Sequence, residues 1–273
     1  MNTHALAVRR WTRVAVVYLL VTLVALFAAF PVIYMFITSL KTRVLLYEPA
    51  TILFTPTLEN YYVAIQKYDL MRYLFDSLVV ASANVAVCTA LGTVGAYALY
   101  RFSFRHKEKL VFVILSARIF PSIALVLPFY LIGLLFRMLD SYLILVITFM
   151  VFNLPFVVVM MKSFFENMAP EIEEAAMLDG CSRLGALYRI VLPQIKTGLF
   201  ATMVMCFMFA WNEFTYALFL VSTNIKMIST AVIFFKTERG ILWGEVSALG
   251  IVAVLPVVVM SFLTQKYIVK GTA

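Results

Sequence analysis

The run Val14–Ile37, "VAVVYLLVTLVALFAAFPVIYMFI", contains no charged residue. A bilayer core takes roughly 20 consecutive apolar residues as one helix. The run meets that length, and reading it as a membrane span decides the rest. It is too long for the apolar part of a cleaved signal peptide, and no small-residue cleavage site precedes a polar start. The expectation is therefore a retained first span, with Pro31 near its far end.

The rest of the chain has the same character. Of 273 residues, 64% are hydrophobic and 13% are charged. A soluble domain is nearer half apolar and a quarter charged. A chain this oily could not cover its surface with polar groups, so it reads as an integral membrane protein. The net charge of +8 raises the question of nucleic acid. The basic residues stand at the ends of apolar runs, however, which is the pattern of membrane topology, and no nucleic-acid partner is expected. Cys88, Cys181 and Cys206 show no paired spacing, and His4 and His106 are the only histidines. Neither a disulfide framework nor a metal site is expected.

Five further apolar runs follow. They cover about 73–100, with Asp76 at its mouth, and 110–136, which holds Pro121, Pro128 and Arg118. The others are 141–161 with Pro155, 197–221 with Glu213, and 246–265 with Pro256. The sequence thus predicts an all-α, multi-pass membrane protein with six transmembrane helices, residues 1–273 forming one domain. Six spans leave both termini on one side. Segments 1–13, 101–109, 162–196 and 266–273 carry more Lys and Arg than 38–72, 137–140 and 222–245, even with Lys41 and Arg43 counted in the latter group. The positive-inside rule then places both termini and the loop 163–196 in the cytoplasm. On the outer side, "LENYYVAIQKYDLMRY" (Leu58–Tyr73) reads as an interfacial helix, since its aromatics suit that depth.

The cytoplasmic loop holds the most polar and best punctuated stretch, Glu173–Pro193, "EEAAMLDGCSRLGALYRIVLP". Pro170 suits a first helical position, and Glu171, Glu173 and Glu174 favour the positive end of the helix dipole. The helix is predicted to run to about Asp179. Gly180 then fits the left-handed position that ends helices, and Ser182 can cap a second helix reaching Pro193. Ile172, Ala175, Ala176 and Asp179 share one face, where alanines let another surface approach closely. Two readings stand: a plug for a socket on a partner, or a solvated connecting loop with ordinary caps.

Glu174-Ala175-Ala176, three residues, Gly180, nine residues, Ile190, one residue, Leu192-Pro193 resembles the EAA loop of ABC importer permeases at every fixed position. "SLK" (Ser39–Lys41), "TLENY" (Thr57–Tyr61), "PEIEEAAMLDGCS" and "WNEF" (Trp211–Phe214) resemble the carbohydrate-uptake class, in particular its shorter, maltose-type second permease subunit. The tail "KYIVKGTA" is shorter than in that family. The resemblance implies a type I importer in a bacterial or archaeal plasma membrane. Its implied partners are a second permease, two ATPase subunits and an external solute-binding protein. It also implies that the loop docks on the ATPase, with Glu174 as the polar contact, Ala175 and Ala176 as the close-packed face, and Gly180 as the turn. Asp179, Ile190, Leu192 and Pro193 complete the motif.

No P-loop of the form GxxxxGK[ST] occurs, so no cofactor is expected in this chain, and ATP and Mg are expected on the partner ATPase subunits. Arg118 and Glu213 are ionisable residues within predicted spans. Such groups line a path, lie near an interface, or pair with the sister subunit. Trp211 and Asn212 could offer a sugar a stacking ring and hydrogen bonds, or could simply pack helices. Asn84 and Asn153 are candidates of the same kind. "GTVGAY" (Gly92–Tyr97) reads as close helix packing. The rival functions are a permease for another solute such as an amino acid or phosphate, a membrane enzyme, and a non-transport scaffold subunit. The scarcity of histidines and of clustered carboxylates disfavours the enzyme.

Overall fold

The computed structural model describes residues 3–48, 50–237 and 240–271. Arg239, counted above on the outer side, and the tail residues Thr272 and Ala273 lie outside the described residues. The chain groups into two compact units, residues 1–68 with 234–252, and residues 69–233 with 253–273.

The first unit contains α1 (Thr3–Ser39), α2 (Glu59–Tyr68) and the beginning of α12 (Trp243–Gly271). Large apolar side chains of α1 are exposed along its length, among them Tyr18, Val24 and Phe27. A helix this apolar with no buried stripe belongs in lipid or against another membrane helix. The motif stretches that follow it fold onto one another. Asn60 donates to the backbone carbonyls of Ser39 and Lys41, at 2.8 Å each. The Ser39 and Tyr61 hydroxyls lie 2.8 Å apart. A two-residue antiparallel ladder pairs β1 (Lys236–Thr237) with β2 (Gly240–Ile241). Glu245, in the first turn of α12, is buried and meets Arg43 at 3.0 Å.

The second unit is built on α3 (Leu70–Arg101) packed against α6 (Tyr142–Glu166). Small residues allow the approach: a Cβ at Gly92 would lie 2.6 Å from Val157 Cγ1. Val80, Ala81, Cys88, Leu145, Phe149 and Val157 form the dry centre. α2 stops at Tyr68, Asp69 takes a left-handed conformation, and α3 starts at Leu70. The predicted interfacial helix is therefore only its first part, and "LMRY" opens the second span.

Among the described residues four uninterrupted helices are long and apolar enough to cross a membrane, within α1, α3, α6 and α12. The third and fifth predicted spans differ from expectation, since each is divided. The third consists of α4 (Lys107–Ser116) and α5 (Ser122–Leu135). Pro121 lacks an N–H and disfavours helical backbone at the residue before it, so the helix stops and restarts there. Pro128, inside α5, does not interrupt it. The fifth consists of α10 (Lys196–Trp211) and α11 (Thr215–Leu220). Two polar side chains make that break. Asn212 Nδ2 bonds the Met208 carbonyl at 2.8 Å, while Glu213 accepts the first N–H groups of α11, from Thr215 at 3.0 Å and Tyr216 at 3.3 Å.

Two aspartates fasten the segment after α11. Asp140 accepts backbone N–H bonds from Ser222, Thr223, Asn224 and Ile225 at 2.9–3.2 Å, and the Thr223 hydroxyl at 2.9 Å. Buried Asp76 accepts the Tyr142 hydroxyl at 2.6 Å and the Lys226 N–H at 2.8 Å. Burial pushes the Asp140 carboxyl up, but the N–H donors outweigh it and hold the group well below the usual carboxylate range.

Candidate functional site

The loop between α6 and α10, expected in the cytoplasm, forms α7 (Pro170–Leu178), α8 (Arg183–Ala186), a π-helical stretch Leu187–Val191, and α9 (Leu192–Gln194). Proline opens α7 as expected. Asp179 is its C-cap, and Gly180 follows at φ +88° with nothing within 4 Å of an added Cβ. Ser182 Oγ accepts the Gly185 N–H at 3.2 Å. The second helix is not the single α-helix predicted to Pro193. The segment 183–194 meets α10 at a bend of 84°.

The faces of α7 differ from expectation. Glu173 and Ala176 point inward, with Glu173 fully buried. Ala176 is buried within this chain, unlike the exposed face expected for it. Ala175 is exposed. Glu174, Asp179 and Gly180 share the open side with it, together with Leu178, whose side chain is 90% exposed. Ile190 and Leu192 are half-buried and Pro193 is exposed.

Glu173, read in the sequence only as one of three acids favouring the helix dipole, has a more specific place. It accepts the Tyr97 hydroxyl at 2.5 Å, and Arg101 Nε lies 3.5 Å from the same oxygen. Arg101 also reaches Glu174, at 3.3 Å. Spacing places Glu173 near Tyr97 in no readable way, because 76 residues separate them.

Within the bilayer-facing helices, a cavity of about 200 Å³ is lined by Arg118, Ser122, Phe149, Phe152, Asn153, Phe209, Ala210 and Glu213. Three of the predicted path residues, Arg118, Asn153 and Glu213, thus line one space. The Arg118 guanidinium sits 5.2 Å from the Phe156 ring centre and 5.0 Å from that of Phe209. Aromatic faces offer partial compensation for a desolvated guanidinium. Asn84 lies behind the cavity and knits helices together: Asn153 Nδ2 donates to its Oδ1 at 2.6 Å, and its own Nδ2 donates to the Val146 carbonyl at 3.1 Å. The other two candidates do not line the cavity. Trp211 is buried, stacked on Phe207, and donates to the Ala253 carbonyl at 3.2 Å, while Asn212 caps α10.

The chain thus joins several long apolar helices, a capped polar loop and a small cavity among its helices. The chain belongs to the family of binding-protein-dependent transport system inner membrane components, whose model matches residues 89–273. It is an ABC transporter permease, a transport subunit and not an enzyme. It is 32% identical over 245 residues to the sulfoquinovosyl glycerol transport system permease protein SmoH of Agrobacterium fabrum, covering 89% of this chain and 86% of that one. It is 30% identical over 259 residues to the trehalose/maltose transport system permease protein MalG of Thermococcus litoralis, covering 91% of each. Its fold matches a chain from the crystal structure of a bacterial ABC transporter involved in the import of the acidic polysaccharide alginate. The TM-score is 0.78 at 22% identity, over 98% of this chain and 99% of that one.

Proposed function

We propose that this chain is the second permease of an ATP-driven importer for a sugar, oligosaccharide or polyol. It pairs with a different permease to form one translocation path, receives substrate from an extracytoplasmic binding protein, and couples to two ATPase subunits that hold ATP and Mg. The names of its relatives, which carry sulfoquinovosyl glycerol and trehalose or maltose, support a saccharide substrate. The "SLK", "TLENY" and "WNEF" stretches support it over an amino acid or phosphate. The observation that carries the coupling role is the open side of α7, where Glu174, Ala175, Leu178 and Asp179 lie outward beside the left-handed Gly180. The path role rests on Arg118 and Glu213 lining one cavity. The test is to express the transporter with Glu174→Lys or Leu178→Glu. Both variants are expected to insert and pair with the sister permease yet lose the ATPase subunits on purification. Full retention of the ATPase by both would reduce the segment to a connecting loop.

A further inference from the structure

The chain joins α7 directly to α6 on one side and, through α8 and α9, to α10 on the other. Neither connection reaches α3, although α3 forms the core of the second unit with α6. The cytoplasmic end of α3 is nevertheless fastened to the loop by side chains. Tyr97 and Arg101 hold Glu173, Arg101 reaches on to Glu174, and the Arg183 guanidinium lies 5.3 Å from the Phe102 ring centre. Tyr97 and Tyr100 pack their rings on Phe165, at 5.8 and 6.0 Å, so α6 shares the same joint.

The chemistry of this joint is not what packing alone would select. Glu173 is fully buried, and its second oxygen, Oε2, has no hydrogen-bond partner among the described residues. A buried carboxylate is costly, and an apolar side chain of similar size would often serve stability as well or better. What a directional hydrogen bond and ion pair add is register. With Glu173 pinned inward, the helical repeat turns Glu174, Ala175 and Leu178 outward. A pinned α7 also carries α3 with it when it moves.

We infer that Glu173, held by Tyr97 and Arg101, is the positioning residue that locks the coupling helix to α3, so that force delivered to α7 moves α3 as well as the helices on either side of it in the chain. This inference rests on the reading of α7 as the ATPase docking helix. Coupling in such a joint passes through two discrete arrangements of packed elements rather than through elastic strain.

The test uses the whole transporter in nanodiscs, with Cys88, Cys181 and Cys206 replaced by Ser. Spin labels are placed at Leu91→Cys on α3 and Glu171→Cys on the first turn of α7, both at exposed positions. The probe is ATP with vanadate, which traps the closed ATPase whatever the solute. In the otherwise unaltered protein the distance distribution between the labels is expected to stay narrow and unshifted on trapping, because the two helices move together. Tyr97→Phe, which keeps the ring packing on Phe165 and removes only the hydroxyl, and Glu173→Leu are each expected to broaden and shift it on trapping. Glu173→Gln retains an acceptor for Tyr97 and is expected to restore most of the narrow distribution. A wild-type distance that shifts on trapping, or variants that stay as narrow as wild type, would overturn the inference. Leu178→Glu, on the open side of α7 and away from Arg101, separates the two ideas: loss of the ATPase there, with narrow distributions in the Tyr97 and Glu173 variants, removes the joint and leaves the docking site standing. Retention of the ATPase by both Leu178→Glu and Glu174→Lys removes the docking site itself.

Discussion

Asp140 anchors a neighbouring segment and Gly180 takes a left-handed turn after α7. Asp140 gathers four backbone N–H groups and two hydroxyls from residues 222–225. Because these donors favour the charged form, its folded pKa lies below the unfolded one. Its stabilisation is therefore complete at neutral pH and is lost as pH falls through ~4 and below, where the unfolded chain binds the proton first. Asp140→Asn keeps the shape, removes the charge and replaces one acceptor by a donor. It should weaken the anchorage of 222–225 by about 1–3 kcal/mol. Hydrogen exchange of that segment is expected to quicken in the variant at pH 7, and the difference from wild type to shrink progressively only as the pH falls below about 4. Equal exchange at pH 7 would show that the turn holds itself. Gly180 has open space around it, so Gly180→Ala is a test of backbone conformation alone. A left-handed residue with a Cβ costs about 1–2 kcal/mol. Cleavage of the 178–183 turn by an added protease should rise accordingly, and an unchanged cleavage rate would contradict the assigned geometry.

At the scale of elements, the apolar runs were legible because one-dimensional hydropathy suffices to find a helix in lipid. The breaks were only half legible. Pro121 and the charges at Arg118 and Glu213 marked the weak spans, but where each helix restarts depends on side chains turning back on their own backbone, as Asn212 and Glu213 do. The inward turn of Glu173 was not legible at all. Two adjacent glutamates look alike in sequence, and only the position of Tyr97 on another helix tells the buried one from the exposed one. Close packing of α3 was legible through Gly92 and Gly95, its partner α6 was not, and the contact between them gives the clearest energetic test. A methyl at Gly92 would press on Val157. Overpacking of this kind typically costs about 1–3 kcal/mol. Gly92→Ala should lower the midpoint of thermal unfolding in detergent, and Gly92→Ala with Val157→Ala should recover much of it, since the second change clears the space. A single variant as stable as wild type would show that the two helices can part freely.

For the whole molecule, the side of the membrane on which each loop lies follows from charge and from the proposed partners, and it can be tested residue by residue. Asn60, in the segment expected on the outer side, is a poor place for a label because it is buried and holds the Ser39 and Lys41 carbonyls. Tyr62, two residues on, is 67% exposed and serves better. Ser182 is exposed at the cap of α8. Moving the basic ends of the spans outward would oppose the positive-inside bias, so the two positions should lie on opposite sides. In intact cells, a membrane-impermeant maleimide is expected to label Tyr62→Cys and to spare Ser182→Cys until the membrane is opened. The background must be free of Cys181, which is half-exposed in the same loop and would otherwise report for Ser182. Labelling of Ser182→Cys from outside would put α7 beyond the reach of any cytoplasmic ATPase. The docking site and the joint at Glu173 would then both lose their purpose, whatever the family of the chain.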